Sequence, residues 1–282
     1  MTNYPLKVLS MGAGVQSTTL LYMMLRGEIE KADHVIFADT GWEPQNVYDH
    51  LEKLKVLMAD AGIPFHFVTA ERKATREGGR NITGNLRKDF LEDGSGFASM
   101  PLHILNKEGK HGMVKRQCTF DYKIQPVLLK LRELAGLKKG DRCKEVRIIQ
   151  MMGISYDESQ RMRDAAFSWI KNDYPLVDRR ITRADCIDWC AKNAYEKPPR
   201  SACIGCPFKS NEEWRLLKEM PEAWADAVDF DKMLRQKTLK GLGGIGFLHS
   251  SCVPLDEADL RTNQEKGIWS LFDQECEGMC GI

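Results

Sequence analysis

The stretch KVLSMGAGVQSTTLLYMML, residues 7–25, joins a short apolar run to a helix-like run through a loop of small residues. The apolar run predicts a buried strand, and the apolar side chains after Ser17 recur at helical spacing. Gly12 and Gly14 let the backbone approach a ligand closely, and the N–H groups at a helix start attract anions. The polar side chains of this loop are Ser10, Gln16 and Ser17. The loop fits a phosphate-binding site, and it also fits an ordinary strand–helix turn.

Further strands and helices alternate after this first pair. Strands are predicted in HVIFADTG (34–41), PFHFVTA (64–70), EVRIIQMMGIS (145–155) and YPLVD (174–178), and an amphipathic helix in 44–62. This alternation predicts an α/β fold, a doubly wound and mainly parallel sheet with helices on both faces. Ligands bind outside the carboxyl ends of parallel strands. The loops 10–17, 39–43 and 153–163 are therefore expected along one edge of the sheet.

Residues 71–116 have a different character. They contain ten Lys/Arg and six Asp/Glu, with glycine pairs and little apolar periodicity, and we predict an irregular insertion. The excess of positive charge fits a lid that grips an anionic substrate, such as the phosphates of nucleic acid. A solvated loop would show the same composition.

The C-terminal part is predicted to be helical. Thr182 and Asp185 have the spacing of a capping box, and two more helices are predicted in 211–220 and 221–237. GLGGIGF, residues 241–247, is interpreted as a loop because no strand–helix unit surrounds it. We accordingly predict a nucleotide-binding domain over 1–180 and a helical, cysteine-containing region over 181–282.

Composition, net charge and cysteine count limit the classes of protein to which this chain can belong. The chain has 282 residues, 43% of them hydrophobic, and a formal net charge of +1, so no global positive field indicates nucleic acid. The sequence has no run of about 18 apolar residues, so no membrane span is indicated. The N-terminus lacks a signal-peptide pattern, and we expect a cytoplasmic protein without membrane attachment. Nine cysteines in such a protein need a reason other than structural disulfides.

The turn FADTGWE, with Asp39 and Thr40, favours the interpretation of the first loop as a phosphate-binding site. A strand, a Ser- and Gly-rich loop, a helix and a strand ending in Asp-Thr-Gly resemble the phosphoadenosine-phosphosulfate (PAPS) reductase family of the PP-loop group. MMGISYDESQRMR, residues 151–163, is similar to a later loop of that family. The resemblance implies an adenine nucleotide, ATP or a PAPS/APS-like compound, with Mg²⁺ as a further expectation. The implied binding residues are Ser10, Gly12, Gly14, Gln16, Ser17, Asp39, Thr40, Gly153, Glu158 and Arg161.

Two positions depart from the family pattern. Gln16 stands where the family usually has Asp, and Ser155 stands where it usually has Arg. These departures keep open which nucleotide is bound and whether it is cleaved.

The cysteines suggest a metal centre. ACIGCPF places Cys203 and Cys206 at a spacing that holds one metal centre, with zinc and a pair of buried thiols as alternatives. Cys118 lies in KRQCTFDYKIQP, among cationic side chains that favour a thiolate. This arrangement resembles the iron–sulfur branch of the PP-loop group, which includes the DNA phosphorothioation protein. The resemblance implies a [4Fe-4S] cluster on Cys118, Cys203 and Cys206. The fourth ligand is expected to be Cys280 rather than Cys252 or Cys276.

Three hypotheses follow from the resemblance. The first is an enzyme that adenylates a small-molecule or nucleic-acid acceptor and transfers sulfur to it, with Asp39 at the reacting nucleotide. The second is a reductase of an adenylated sulfate, with Cys280 or Cys276 as the nucleophile. The third is a nucleotide-binding partner subunit without turnover. A homodimer, or a complex with a sulfur-donor protein, is a further expectation.

Overall fold

The computed structural model describes residues 5–70, 82, 84, 87, 100–236, 243–262 and 264–267. The chain divides into two compact units that interleave along the sequence. The first unit comprises Met1–Asp39, Gln45–Val68 and Ile124–Ser201, and the second comprises Thr40–Pro44, Thr69–Lys123 and Ala202–Ile282. Residues 181–201 belong to the first unit. The predicted domain boundary near residue 180 stays a prediction.

In the described part of the chain, the regular structure includes strands, α-helices and two short turns of other helix types. The strands are β1 (Leu6–Met11), β2 (His34–Ala38), β3 (Phe65–Val68), β4 (His103–Asn106), β5 (His111–Met113), β6 (Ile148–Met152), β7 (Ile170–Asp173) and β8 (Gly244–Phe247). The α-helices are α1 (Val15–Leu25), α2 (Gln45–Asp60), α3 (Gln125–Leu134), α4 (Pro175–Asp178), α5 (Arg183–Lys192), α6 (Asn211–Lys218) and α7 (Pro221–Gln236). A π-helical turn spans Phe120–Ile124, and a 3₁₀ turn spans Tyr156–Arg161.

The first unit is built on a five-stranded sheet with the order β3-β2-β1-β6-β7. Each neighbouring pair of strands is parallel. In the central strand β1, Met11 pairs with Phe37 of β2 and Ser10 pairs with Met152 of β6. The predicted α/β class with a mainly parallel sheet is therefore confirmed. The carboxyl ends of β1, β2 and β6 meet at one edge, as the sequence predicts.

Helices cover both faces of this sheet because side chains of a strand alternate between its faces. Leu9 and Phe37 point to the side where α1, α2 and α5 pack. Val8 and Ile36 point to the opposite side, where Leu131 of α3 packs against them. This burial holds the three loops at the carboxyl edge on a rigid base.

One predicted strand of the first unit is wrong. YPLVD was expected to extend the sheet, but Pro175–Asp178 is the short helix α4, and the strand is the preceding segment Ile170–Asp173. Proline lacks the N–H that a central strand needs, while its backbone suits the first turn of a helix. The pairing of Ile170 with Ile148 of β6 supplies the strand instead.

The second unit combines helices α6 and α7 with a small antiparallel sheet of order β5-β4-β8. Its core contains the buried rings of Trp42, Tyr122, Trp214 and Phe230. Two predictions need correction in this unit. The insertion was expected to be irregular, but its described end forms β4 and β5. GLGGIGF was interpreted as a loop, but Gly244–Phe247 is β8.

The two corrections differ in their physical reason. Strand β5 is exposed throughout, so it lacks the apolar alternation that indicates a strand. Strand β8 pairs with β4, which lies far away in the sequence, so β8 has no local partner that a pattern would reveal. A Cβ added at Gly244 would lie 2.4 Å from the carbonyl oxygen of Leu105. The glycine-rich stretch is therefore suited to close strand pairing. Most of 71–99 lies outside the described residues, so the proposed lid stays a prediction.

Among the described residues, no helix has both the length and the apolar character that a membrane crossing requires.

Candidate functional site

The loop after β1 curls around the hydroxyl of Ser17. The backbone N–H of Gly12 donates to Ser17 Oγ at 3.2 Å, and Ser17 Oγ lies 3.4 Å from the carbonyl oxygen of Gly14. Ala13, between the two glycines, has a φ of 57° and is fully buried. Helix α1 begins directly afterwards, at Val15. The loop thus turns its main chain around the amino end of α1, which is the arrangement that favours an anion.

Gly12 lies in this loop, and Gly153 lies in the segment after β6; the two glycines have different surroundings. A Cβ added at Gly153 would lie 2.7 Å from both N and Cα of Ser17, so the segment after β6 presses against the first turn of α1. A Cβ added at Gly12 would meet no protein atom within 4 Å. Gly153 is therefore required for packing, whereas Gly12 borders open space. These residues form a cradle whose backbone is accessible on one side.

Polar side chains connect β1 and β6 and also the segments that follow these two strands. Gln150 Nε2 donates to Ser10 Oγ at 2.7 Å across β6 and β1. Gln16 Nε2 lies 3.5 Å from the Oγ of Ser155, which is fully buried. Gln16 and Ser155 are the two positions that depart from the family pattern. Their contact shows that these two neutral side chains lie next to each other.

Two carboxylates lie on the segments that follow β2 and β6. Tyr48 donates its hydroxyl hydrogen bond to Asp39 Oδ1 at 2.9 Å. Arg161 Nη1 donates to Glu158 Oε2 at 2.6 Å within the 3₁₀ turn. Burial raises the pKa of the Glu158 carboxyl, and the guanidinium of Arg161 opposes that rise. The ligand roles predicted for Asp39, Glu158 and Arg161 stay predictions.

The second unit contains the predicted thiol site, which we call the thiol turn, Cys203–Pro207. The backbone N–H of Cys206 donates to the carbonyl oxygen of Cys203 at 3.0 Å, so the two cysteines flank a tight turn. Burial raises the pKa of the Cys203 thiol to about 12, and the Glu43 carboxylate also raises it. Cys118 is close enough to contribute to the same rise. Three of the four predicted thiols therefore belong to one unit, and two of them interact electrostatically.

A hydroxyl and an ion pair surround the Cys203 thiol. Thr40 Oγ1 lies 3.2 Å from Cys203 Sγ, at hydrogen-bonding distance for sulfur. Lys123, in the π-helical turn, lies 3.4 Å from Glu43, whose side chain is 1% exposed. Both the Lys123 ammonium and the Thr40 hydroxyl lower the pKa of the Cys203 thiol, against the larger effect of burial. π-Helical turns occur frequently at functional sites.

The thiols of this unit differ from the ligand set of a single metal ion. Across the described ranges 5–70, 82, 84, 87, 100–236, 243–262 and 264–267, no three His, Cys, Asp or Glu side chains are arranged around one such ion. An iron–sulfur cluster spans several iron atoms, so its thiolates need not converge on one point. Three thiols in one unit fit such a cluster in their donor chemistry. Cys252 is buried, and Cys276 and Cys280 lie outside the described residues.

The sequence did not indicate several residues that surround the thiol turn. The nucleotide role expected for Thr40 stays a prediction, and the contact of its hydroxyl with Cys203 is an addition that the sequence did not indicate. His103 lies in β4, and its Nε2 lies 3.2 Å from the carbonyl oxygen of Pro207. Gly205, between the two cysteines, lies against the indole of Trp42. The small residue at 205 was the available signal, because a glycine between two ligands often permits a close approach.

Known proteins provide a comparison for this fold. No protein-family model matches the chain, and no curated protein matches it. Among solved structures, it is similar to phosphoadenylyl-sulfate (PAPS) reductase from Candida auris in a phosphate complex, with 17% identity over 71% of this chain and 76% of that chain, and a TM-score of 0.43.

It is also similar to the U34-tRNA thiolase NcsA from Methanococcus maripaludis with its [4Fe-4S] cluster. That match has 13% identity over 91% of this chain and 79% of that chain, and a TM-score of 0.38. The two structures are of the kinds that the sequence resemblance names, a PAPS reductase and a protein with a [4Fe-4S] cluster. At these TM-scores neither carries information about the function of this chain, so any functional inference rests on its own residues.

Proposed function

We propose that this protein is an ATP-dependent enzyme of the PP-loop kind that adenylates an acceptor and transfers sulfur to it. The acceptor is a nucleobase, a nucleotide or a nucleic acid. One observation carries the proposal. Asp39 directly follows β2 at the loop edge of the sheet, and the next residue, Thr40, contacts the thiol of Cys203. Consecutive residues of the chain therefore belong to the loop edge of the sheet in the first unit and to the surroundings of the thiol turn in the second.

The nucleotide half of the proposal is supported by the cradle around Ser17. Gly12 leaves room for a ligand on one side of the loop, and the amino end of α1 offers N–H groups to phosphate oxygens. Asp39 is a suitable ligand for a Mg²⁺ ion that accompanies ATP. In this role its hydrogen bond from Tyr48 holds the carboxylate in one orientation.

The sulfur half is supported by the thiol turn. Cys118, Cys203 and Cys206 would hold an iron–sulfur cluster, with Cys280 as the proposed fourth ligand. When bound by all four thiolates, such a cluster would transfer electrons; if Cys280 were not a ligand, one iron would be open to bind a sulfur species. The Thr40 hydroxyl would orient Cys203, and the Glu43–Lys123 ion pair would set the local charge around it.

The proposed reaction balances without an external oxidant. An oxygen of the acceptor attacks the α-phosphorus of ATP, a new P–O bond forms, and pyrophosphate leaves. A hydrosulfide ion then attacks the activated carbon of the acceptor, a C–S bond forms, and AMP leaves with the oxygen. The cradle serves the first step by holding the phosphates in position.

The test measures both steps with the full-length, anaerobically prepared protein. It is given ATP, Mg²⁺, ³⁵S-labelled sulfide and one acceptor at a time, namely bulk transfer RNA, duplex DNA or mixed nucleoside monophosphates. We expect pyrophosphate, AMP and incorporated ³⁵S in equal amounts with one acceptor. Ser17→Trp should abolish all three because the bulky ring fills the cradle.

A cysteine variant separates the two halves of the reaction. Cys203→Ser should retain pyrophosphate release but lose ³⁵S incorporation, while the control Cys143→Ser, in the first unit, should behave like the wild type. Release of sulfite from PAPS or APS, without ³⁵S incorporation, would instead show a reductase. Tight ATP binding without pyrophosphate from any acceptor would contradict the proposal in favour of a binding subunit.

A further inference from the structure

We propose that Trp42 is a positioning residue for the thiol turn: its carbonyl and its indole together set the backbone between Cys203 and Cys206. This inference rests on the proposed role of those cysteines, but it concerns their geometry and not the identity of what they bind. Trp42 belongs to the segment Thr40–Pro44, which follows Asp39 and lies in the second unit.

Trp42 contacts both residues that separate the cysteines. The backbone N–H of Ile204 donates to the carbonyl oxygen of Trp42 at 2.7 Å. A Cβ added at Gly205 would lie 2.2 Å from the outer edge of the Trp42 ring, and 2.8 and 2.9 Å from two further ring atoms. Real Cβ atoms do not approach other atoms this closely. Only glycine therefore fits between the cysteines while the indole stays in place.

The indole is itself held in place. Its Nε1 donates to Asp226 Oδ2 at 2.5 Å, and Asp226 also accepts from Arg87 Nη2 at 2.5 Å. The ring lies edge-on against Phe230 with 4.9 Å between the centroids, and Trp42 is 3% exposed. A buried ring with a hydrogen bond and an aromatic contact has little freedom to move away. The position of the indole therefore restricts the backbone of the thiol turn.

Thr40 completes the contact between this segment and the thiol turn. Its Oγ1 accepts a long hydrogen bond from the Trp42 N–H at 3.4 Å and lies 3.2 Å from Cys203 Sγ. The segment therefore contacts the side chain of the first cysteine and the main chain that leads to the second. This double contact holds the Cys203 thiol and the backbone that leads to Cys206, and a shared metal centre requires such fixed positions.

The experiment uses a double-mutant cycle between Gly205→Ala and Trp42→Ala in the full-length chain. The readouts are iron per chain and the iodoacetamide alkylation rates of Cys203 and Cys206, measured by peptide mass spectrometry before and after a chelator removes iron. Gly205→Ala alone should change the alkylation rates by about tenfold and lower the iron content, because the added methyl displaces the indole. In the Trp42→Ala background the same change should have less than about a twofold effect.

The controls keep the outcomes distinct. Gly112→Ala, in the same unit, adds a Cβ with no atom within 4 Å and should leave every readout at the wild-type value. If Trp42→Ala fails to fold, Trp42→Phe provides a smaller ring for the same cycle. A wild-type chain without iron would contradict the proposed cluster, while the alkylation rates would still test Trp42. An effect of Gly205→Ala that is equal with and without the indole would overturn the inference.

Discussion

Two glycines near the proposed nucleotide site are expected to respond in opposite ways to the same substitution. Gly12→Ala should weaken ATP binding by about tenfold, because its methyl group projects into the open side of the loop, and should leave stability unchanged. Gly153→Ala should lower the free energy of unfolding by about 1–3 kcal/mol, because its methyl group collides with the Ser17 backbone. Calorimetric titration with ATP and urea unfolding measure the two effects.

Gly112→Ala is the matched control for both substitutions, since its added methyl group also meets open space but lies in the second unit. Normal ATP affinity in Gly12→Ala would place the ligand away from this loop. Full stability in Gly153→Ala would show that the segment after β6 can move away from α1.

At the scale of single elements, helix α5 depends on its amino-terminal cap. The backbone N–H of Asp185 donates to Thr182 Oγ1 at 3.1 Å, and the backbone N–H of Thr182 donates to the Asp185 carboxylate at 2.8 Å. Hydrogen bonds from the Thr182 hydroxyl and N–H also lower the pKa of the Asp185 carboxyl. The predicted capping box is thus confirmed. It orients a helix whose buried Cys186 and Cys190 pack on one face of the parallel sheet.

We expect Thr182→Ala to lower the free energy of unfolding by about 1 kcal/mol, since the N–H groups of the first turn lose their acceptor. Thr182→Ser keeps the hydroxyl and should retain most of the stability. Urea denaturation followed by circular dichroism gives both values. Equal loss in the two variants would mean that the methyl group of Thr182, and not the cap, stabilises α5.

At the scale of the whole molecule, buried and half-buried histidines make stability depend on pH. Burial lowers the pKa of five side chains below the usual value of 6.5, namely His34, His50, His66, His103 and His249. Below about pH 6.5 the unfolded chain therefore binds protons that the folded chain excludes. The free energy of unfolding should fall as the pH falls below that value, and stability should be regained as the pH rises above it.

Urea midpoints at about pH 7.5 and pH 5.5 measure this dependence. His50 illustrates it, because its Nε2 lies 3.1 Å from the buried hydroxyl of Thr18 in the first unit. His50→Gln keeps a polar partner for Thr18 without a titrating group, so the variant should lose less stability between the two pH values. A midpoint that is unchanged, or higher at the lower pH, would contradict the lowered pKa of these histidines.

The amino-acid sequence by itself determined the parallel sheet, most helices and the loop edge, because apolar periodicity and glycine positions are local properties. It also singled out the cysteines at 118, 203 and 206. Only the tertiary structure decided the pairing of β4 with β8, the contact between Thr40 and Cys203, and the approach of Trp42 to Gly205. These contacts join segments that are far apart in the chain. Their geometry depends on how separate elements pack, and no local pattern carries that information.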